Sequence, residues 1–135
     1  MDCCAVNGLD REFTHSVARG DLKSYRKKGL DRRARKLADF LKSQGLSDAT
    51  VLDIGCGIGA LHLELLQAGA ASATGVDVST HYAEAAEELA SSLGLRDSVE
   101  YRVGDFVEMH QDVPEADVTT LDRVVCCYPH MNELV

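Results

Sequence analysis

Tryptophan is missing from this 135-residue chain, proline occurs only twice, and aromatic residues make up 5 % of it. With so few rings, a series of stacking platforms for single-stranded nucleic acid is not expected. Long apolar runs are missing too. None approaches the ~20 residues that span a bilayer, so no membrane segment is expected. The opening, Met1-Asp-Cys-Cys-Ala-Val-Asn7, has neither the basic nor the apolar part of a secretory signal, and a cytoplasmic location is the expectation. Cysteine occurs five times, but without a C-x-x-C pair or a nearby Cys/His pair. Cys56 belongs to a glycine-rich loop, Cys126 and Cys127 read as reduced core thiols, and Cys3-Cys4 stands alone near the start; no metal site is expected. The five histidines share no ligand spacing either, and His15, His62, His81 and His110 are given no role.

Positive charge is scarce over most of the chain. Residues 1–42 carry 11 Lys/Arg against 6 Asp/Glu, whereas residues 43–135 carry 3 against 16. The basic stretch from Arg19 to Lys42 reads as a solvated helical face docked on an acidic body, or as a patch for an anionic substrate.

What is present suits a single soluble core, with 45 % hydrophobic and 27 % charged residues. Residues 1–20 show no strong period. Leu30, Ala34, Leu37 and Leu41 recur at helical spacing, with Asp31 as cap and Gly45 as stop. Strands are predicted at Ala49–Ile54, Ala73–Asp77, Val99–Val103 and Asp117–Leu121. Between them lie a helix through Ile58, Leu61, Leu65 and Ala68, and another burying Tyr82, Ala86, Leu89 and Leu93. Ser79 caps the second of these helices and Gly94 ends it. Pro114 limits the loop before strand four, and a further helix is predicted from His130. Strands alternating with helices imply right-handed crossovers and an α/β, Rossmann-like parallel sheet of order 3-2-1-4. Its ligand crevice should lie at the carboxyl ends of strands one and four.

The most informative stretch is Val51–Gly59, VLDIGCGIG, which joins strand one to a helix. Gly55 and Gly57 let a ligand approach bare backbone. Asp53, at the strand tip, is expected to meet a cationic or hydroxyl group. The rival is a dinucleotide turn, because Gly55, Gly57 and Ala60 fit G-x-G-x-x-G/A and Asp77 lies where a ribose-binding acid would. A third reading is tight strand-to-helix packing with no ligand. A diphosphate would be repelled by the Asp53 carboxylate, whereas an ammonium and a sulfonium would be attracted.

On these residues the chain resembles class I S-adenosylmethionine-dependent methyltransferases. The Tyr25-Arg-Lys-Lys-Gly29-Leu-Asp-Arg32 lead-in resembles the Y-x-x-x-G-x-x-R of small-molecule methyltransferases, including the magnesium-protoporphyrin O-methyltransferase branch. Through L-D-R-V-V-C-C-Y-P the chain is similar to small bacterial methyltransferase-domain proteins. The porphyrin branch has a histidine where Cys127 precedes Tyr128-Pro129, so a porphyrin acceptor is not expected. The N/D-P-P-Y motif of enzymes acting on nucleic-acid amino groups is absent, which makes nucleic acid a poor candidate for acceptor.

The resemblance implies a helical lid over residues 1–45 and an S-adenosylmethionine-binding domain over residues 46–135. That domain is truncated relative to the seven-strand methyltransferase fold, and a fragment of a longer protein is the expectation. It also implies a cofactor site made of Asp53, Gly55, Cys56 and Gly57 for the methionine end and ribose, with Asp77 for the ribose hydroxyls. Val78 and Phe106 would wall the adenine, Asp105 would accept its amine, and Asp122 and Arg123 would stand near the methyl. Asp122, Tyr128, His130 and Tyr25 are catalytic candidates by location alone. The expected function is methyl transfer from S-adenosylmethionine to a small molecule. The alternatives are a non-catalytic module holding S-adenosylmethionine or S-adenosylhomocysteine, and an NAD(P)-dependent oxidoreductase. The oligomeric state cannot be read from these residues.

Overall fold

The computed structural model describes residues 14–122, 124 and 131–134. Two helices precede the sheet. Helix α1 (His15–Lys28) is capped by the Thr14 hydroxyl, which accepts the Val17 N–H, and Arg26, Lys27 and Lys28 in its last turn complement its dipole. The lack of a strong period over residues 1–20 hid this helix. Its fully buried stripe is only Ala18 and Leu22, each 1 % exposed, set among charged residues. Helix α2 (Arg32–Ser43) begins, as predicted, at Asp31, whose carboxylate accepts the Ala34 N–H at 2.8 Å. Ala34 and Ala38 are buried, while Leu30, Leu37 and Leu41 pack around the edge of the core.

The sheet comprises β1 (Thr50–Ile54), β2 (Ser72–Asp77), β3 (Val99–Val103) and β4 (Val118–Thr120), in the expected parallel order β3-β2-β1-β4. Helix α3 (Ala60–Gln67) joins β1 to β2, and α4 (Thr80–Ser92) joins β2 to β3. The short α5 (Phe106–Met109) precedes β4, and α6 (Met131–Leu134) follows it. Ser79 caps α4 as predicted, accepting the Tyr82 N–H. Leu93 was expected on the buried face of α4, but it is 38 % exposed. It sits at the helix C-cap, where the backbone leaves the stripe. No helix among the described residues is long and apolar enough to cross a membrane.

Central β1 is buried on both faces, and its alternation divides the core in two. Val51 joins the larger cluster, with Leu22, Ala38, Leu63 and Leu89 from the first four helices. Leu52 and Ile54 join a smaller one with Val76 and Val113, covered by Phe106 and Met109. Register puts Thr120, Asp53, Gly75 and Tyr101 in one row across all four strands. In-register residues share a face, so three polar side chains flank a glycine gap. A Cβ on Gly75 would lie 2.9 Å from the Tyr101 ring and 3.0 Å from Cys56 Sγ. The gap is therefore filled by its neighbours.

Candidate functional site

A cavity of about 530 Å³ opens where β1 and β2 end, within the range of small-ligand sites. Its floor is the turn after β1. Gly55 N–H bonds Val76 O at 2.7 Å, which turns the chain back over the tip of β2. Gly57 follows in the left-handed region (φ 56°), where a side chain would be strained. This conformation aims its N–H at Asp77 Oδ2, 2.9 Å away, while Asp77 Oδ1 accepts the Ser79 N–H at 2.9 Å. One carboxylate thus ties together the loops after β1 and β2. A carboxylate has about four lone-pair sites, so capacity remains for further donors from the cavity.

Burial holds the Asp77 carboxyl above the usual aspartate range, against the opposing pull of the Ser79 and Gly57 amides. Only the ionised form accepts hydroxyl donors on both oxygens. Affinity for a ligand bearing vicinal hydroxyls is therefore expected to hold at neutral pH and fall on acidification. The fall should begin above the ~3.9 of an ordinary aspartate. Linkage runs the other way for the empty protein. With a raised folded value, its contribution to stability is present below the unfolded pKa and lost as pH rises through the folded one. Calorimetric titration and urea unfolding over one acid series check both signs.

Asp53 borders the cavity, but its side chain is 3 % exposed and both its oxygens have partners within the protein. Oδ1 accepts the Thr120 hydroxyl at 2.8 Å, and Oδ2 lies 2.8 Å from His62 Nδ1. The carboxylate can only accept, so Nδ1 carries the proton and Nε2 accepts from the Tyr101 hydroxyl, 2.8 Å away. Burial, and then the nearby Cys56 and Asp53, push the Tyr101 phenol up, keeping it a donor. Thr120, Asp53, His62 and Tyr101 thus form a chain beneath the glycine turn. His62 was given no role in the sequence reading. The available signal was its place as the lone polar residue in Leu61–Leu63, where a fully buried imidazole needs partners. Gly59 is required by the same contact, since a Cβ there would lie 2.6 Å from His62 Cε1.

The other expected residues separate into groups. Val78, Phe106 and Asp122 line the cavity, as do Gly55, Cys56 and Gly57. Burial and the carboxylates of Asp53 and Asp77 raise the Cys56 thiol well above its usual value, so it stays protonated. Asp105 does not line the cavity, and its carboxylate caps α5 by accepting the Val107 N–H at 3.0 Å. Arg123, Tyr128 and His130 lie outside the described residues, as do Cys3, Cys4, Cys126 and Cys127.

Helices α1 and α2 wall the mouth. Tyr25 lines the cavity and donates to Glu64 Oε1 at 3.1 Å, and burial beside that carboxylate pushes its phenol up to about 12. Tyr82 donates to Asp21 and is likewise raised by burial. Neither phenol is a base at neutral pH. Arg33 clasps Asp122 at 2.7 and 3.1 Å, Arg35 meets Glu64 at 2.8 Å, and Arg19 and Arg26 share Glu88. These pairs match the reading of the basic stretch as a face docked on an acidic body.

The family model described as a methyltransferase domain matches residues 51–134. Ribosomal protein L11 methyltransferase of Pseudomonas fluorescens is 38 % identical over 99 residues, covering 72 % of this chain and 34 % of that protein. Among solved structures, a Methanococcus maripaludis protein described as an S-adenosylmethionine-dependent methyltransferase superposes with TM-score 0.67. It is 22 % identical, and the match covers 90 % of this chain and 57 % of that one. Magnesium protoporphyrin IX methyltransferase from Synechocystis PCC 6803, solved with bound S-adenosylhomocysteine, gives TM-score 0.59 at 25 % identity. That match covers 70 % of this chain and 42 % of the other. The chain spans 21–35 % of the length of the curated relatives it first matches.

Proposed function

The chain belongs to the methyltransferase domain family, and from that premise we propose that its cavity binds S-adenosylmethionine for methyl transfer to a small molecule. The observation that carries the reading is the Asp77 carboxylate, anchored by the Gly57 and Ser79 amides with acceptor capacity to spare. Vicinal ribose hydroxyls are the donors that fit it. Val78 and Phe106 supply apolar walls for an adenine, and the Gly55–Gly57 backbone supports the ribose and methionine end. Asp21, Asp31, Asp77 and Asp122 border the same space, with Arg33 as its cationic neighbour. An acid-rich lining suits an ammonium and a sulfonium and opposes a diphosphate, which weighs against the NAD(P) alternative.

The cofactor would supply an already activated methyl group. The protein's part is alignment, holding donor and acceptor in contact while the walls exclude water. The raised Tyr25 and Tyr82 phenols favour an acceptor that needs no deprotonation by them. They also support a second reading, a module that holds the cofactor without turnover. Engagement of Arg19, Arg26, Arg33 and Arg35 in ion pairs supports a small acceptor over a polyanion. Release of S-adenosylhomocysteine, followed with fractionated small metabolites, RNA and ribosomal protein as acceptors, tests this. Turnover confined to the metabolite fraction is expected. Turnover only with macromolecules would overturn the small-molecule assignment, and none with any fraction would favour the binding module.

Residues 14–45 are proposed to act as the lid. Arg33→Ala removes its clasp on Asp122 and should change stability by less than ~1 kcal/mol, because both groups are partly exposed. Release of S-adenosylhomocysteine should nevertheless speed up several-fold in stopped-flow measurements. An unchanged release rate would take the lid role away from this contact.

A further inference from the structure

Two histidines given no ligand spacing in the sequence, His15 and His81, come together with a glutamate in the fold. His15 opens α1, while His81 and Glu84 lie in the first turns of α4. The latter two are three apart on one helix and so share a face. One ligand atom from each of the three lies within 4.8 Å of the other two. The two imidazoles meet edge to face, 6.0 Å between centroids and 77° between planes. We propose that His15, His81 and Glu84 form a binding site for a divalent transition metal of the zinc class, which clips α1 to α4.

The donor set is the basis for the metal class. Two imidazoles and a carboxylate suit Zn²⁺, leaving a fourth position for water, whereas Mg²⁺ and Ca²⁺ prefer all-oxygen sites. Bond lengths of ~2.0–2.1 Å in a tetrahedron place ligand atoms roughly 3.3 Å apart. Rotamer adjustments of His15 and Glu84, both exposed, close the remaining gap. Other contacts hold the same two helices together. Arg19 and Arg26 bind Glu88, and Tyr82 donates to Asp21, so α1 and α4 are docked independently of the histidines. The same docking lets His15 and His81 be replaced without unfolding. The position gives the clip a consequence, because α1 carries Asp21 and Tyr25, and α4 carries Tyr82, into the cavity wall.

The test is titration of the full chain with Zn²⁺ by calorimetry, followed by Co²⁺ absorption spectra and hydrogen exchange. One equivalent should bind, Co²⁺ should show tetrahedral bands without thiolate charge transfer, and exchange across α1 should slow. His15→Ala and His81→Ala should each weaken binding by more than about tenfold, since loss of even an outer-shell partner costs that much. Circular dichroism should stay unchanged in both. Replacement of all five cysteines by serine should leave the affinity intact. Unchanged affinity in the histidine variants, thiolate bands that vanish with the cysteines, or binding without slower exchange in α1 would each overturn the clip. None of these readouts depends on the cofactor, so the clip and the methyltransferase reading fail separately.

Discussion

Asp77→Ala is expected to weaken S-adenosylhomocysteine binding by about a hundredfold or more while leaving the chain folded. Hydrogen bonds to a charged group are worth roughly 1.5–3 kcal/mol each. Losing two from the ribose hydroxyls therefore removes at least ~3 kcal/mol, and about 1.4 kcal/mol is tenfold in affinity. The variant also frees the Gly57 and Ser79 amides, which loosens the turn that carries the methionine end. Gly57 borders the open cavity and its amide can take water instead; the Ser79 amide is buried and loses one acceptor, a cost of about 1–3 kcal/mol that the sheet beneath should withstand. Asp77→Asn isolates the charge, retaining the shape but offering one acceptor oxygen and an NH₂ that faces the loop amides. It should fall between wild type and Asp77→Ala. Calorimetry gives the affinity, and urea unfolding of the same samples shows whether the fold is intact. Binding within threefold of wild type in both variants would remove Asp77 from the site.

His62→Ala should cost the chain about 3–5 kcal/mol of stability. The side chain is fully buried and bonds Asp53 on one nitrogen and Tyr101 on the other. Its removal leaves the Asp53 carboxylate with Thr120 alone, takes the partner from the half-buried Tyr101 phenol, and opens a cavity against Gly59. With domains of this kind stable by only ~5–15 kcal/mol, the loss is a large fraction of the whole. His62→Asn keeps a donor for the carboxylate and should recover part of it. In a double-mutant cycle with Tyr101→Phe, the coupling should exceed ~0.5 kcal/mol, as for groups in one network. A cost below about 1 kcal/mol for His62→Ala would mean that the chain beneath the glycine turn is not structural.

The contrast between these two aspartates shows how far the sequence could be read. Strand order followed from the β-α alternation, and the Ser79 and Asp31 caps from local hydrogen-bond chemistry that acts within a few residues. The position of Asp77 at the cavity was legible for a similar reason, because a strand tip followed by a helix cap fixes where its side chain points. Asp53 was legible in position but not in partner. Whether its carboxylate meets a ligand or a neighbour depends on Thr120, 67 residues away, and on an imidazole from α3. Register, not spacing, brings those together. Helix α1 escaped detection because Ala18 and Leu22, its two buried positions, make too thin a stripe to read as a period, and its exposed ion pairs to α4 leave no periodic mark. The meeting of His15 with His81 is likewise a product of that docking.

The acidic lining of the cavity as a whole, rather than the residue at the tip of β1 alone, favours a cationic ligand over a diphosphate. Calorimetric titration of one protein sample with S-adenosylhomocysteine and, separately, with NADH tests this most directly. Saturable binding of the thioether nucleoside is expected, with at least a hundredfold weaker binding of the dinucleotide. Equal or tighter binding of NADH would contradict it, because a diphosphate would then be sitting where the lining should repel it.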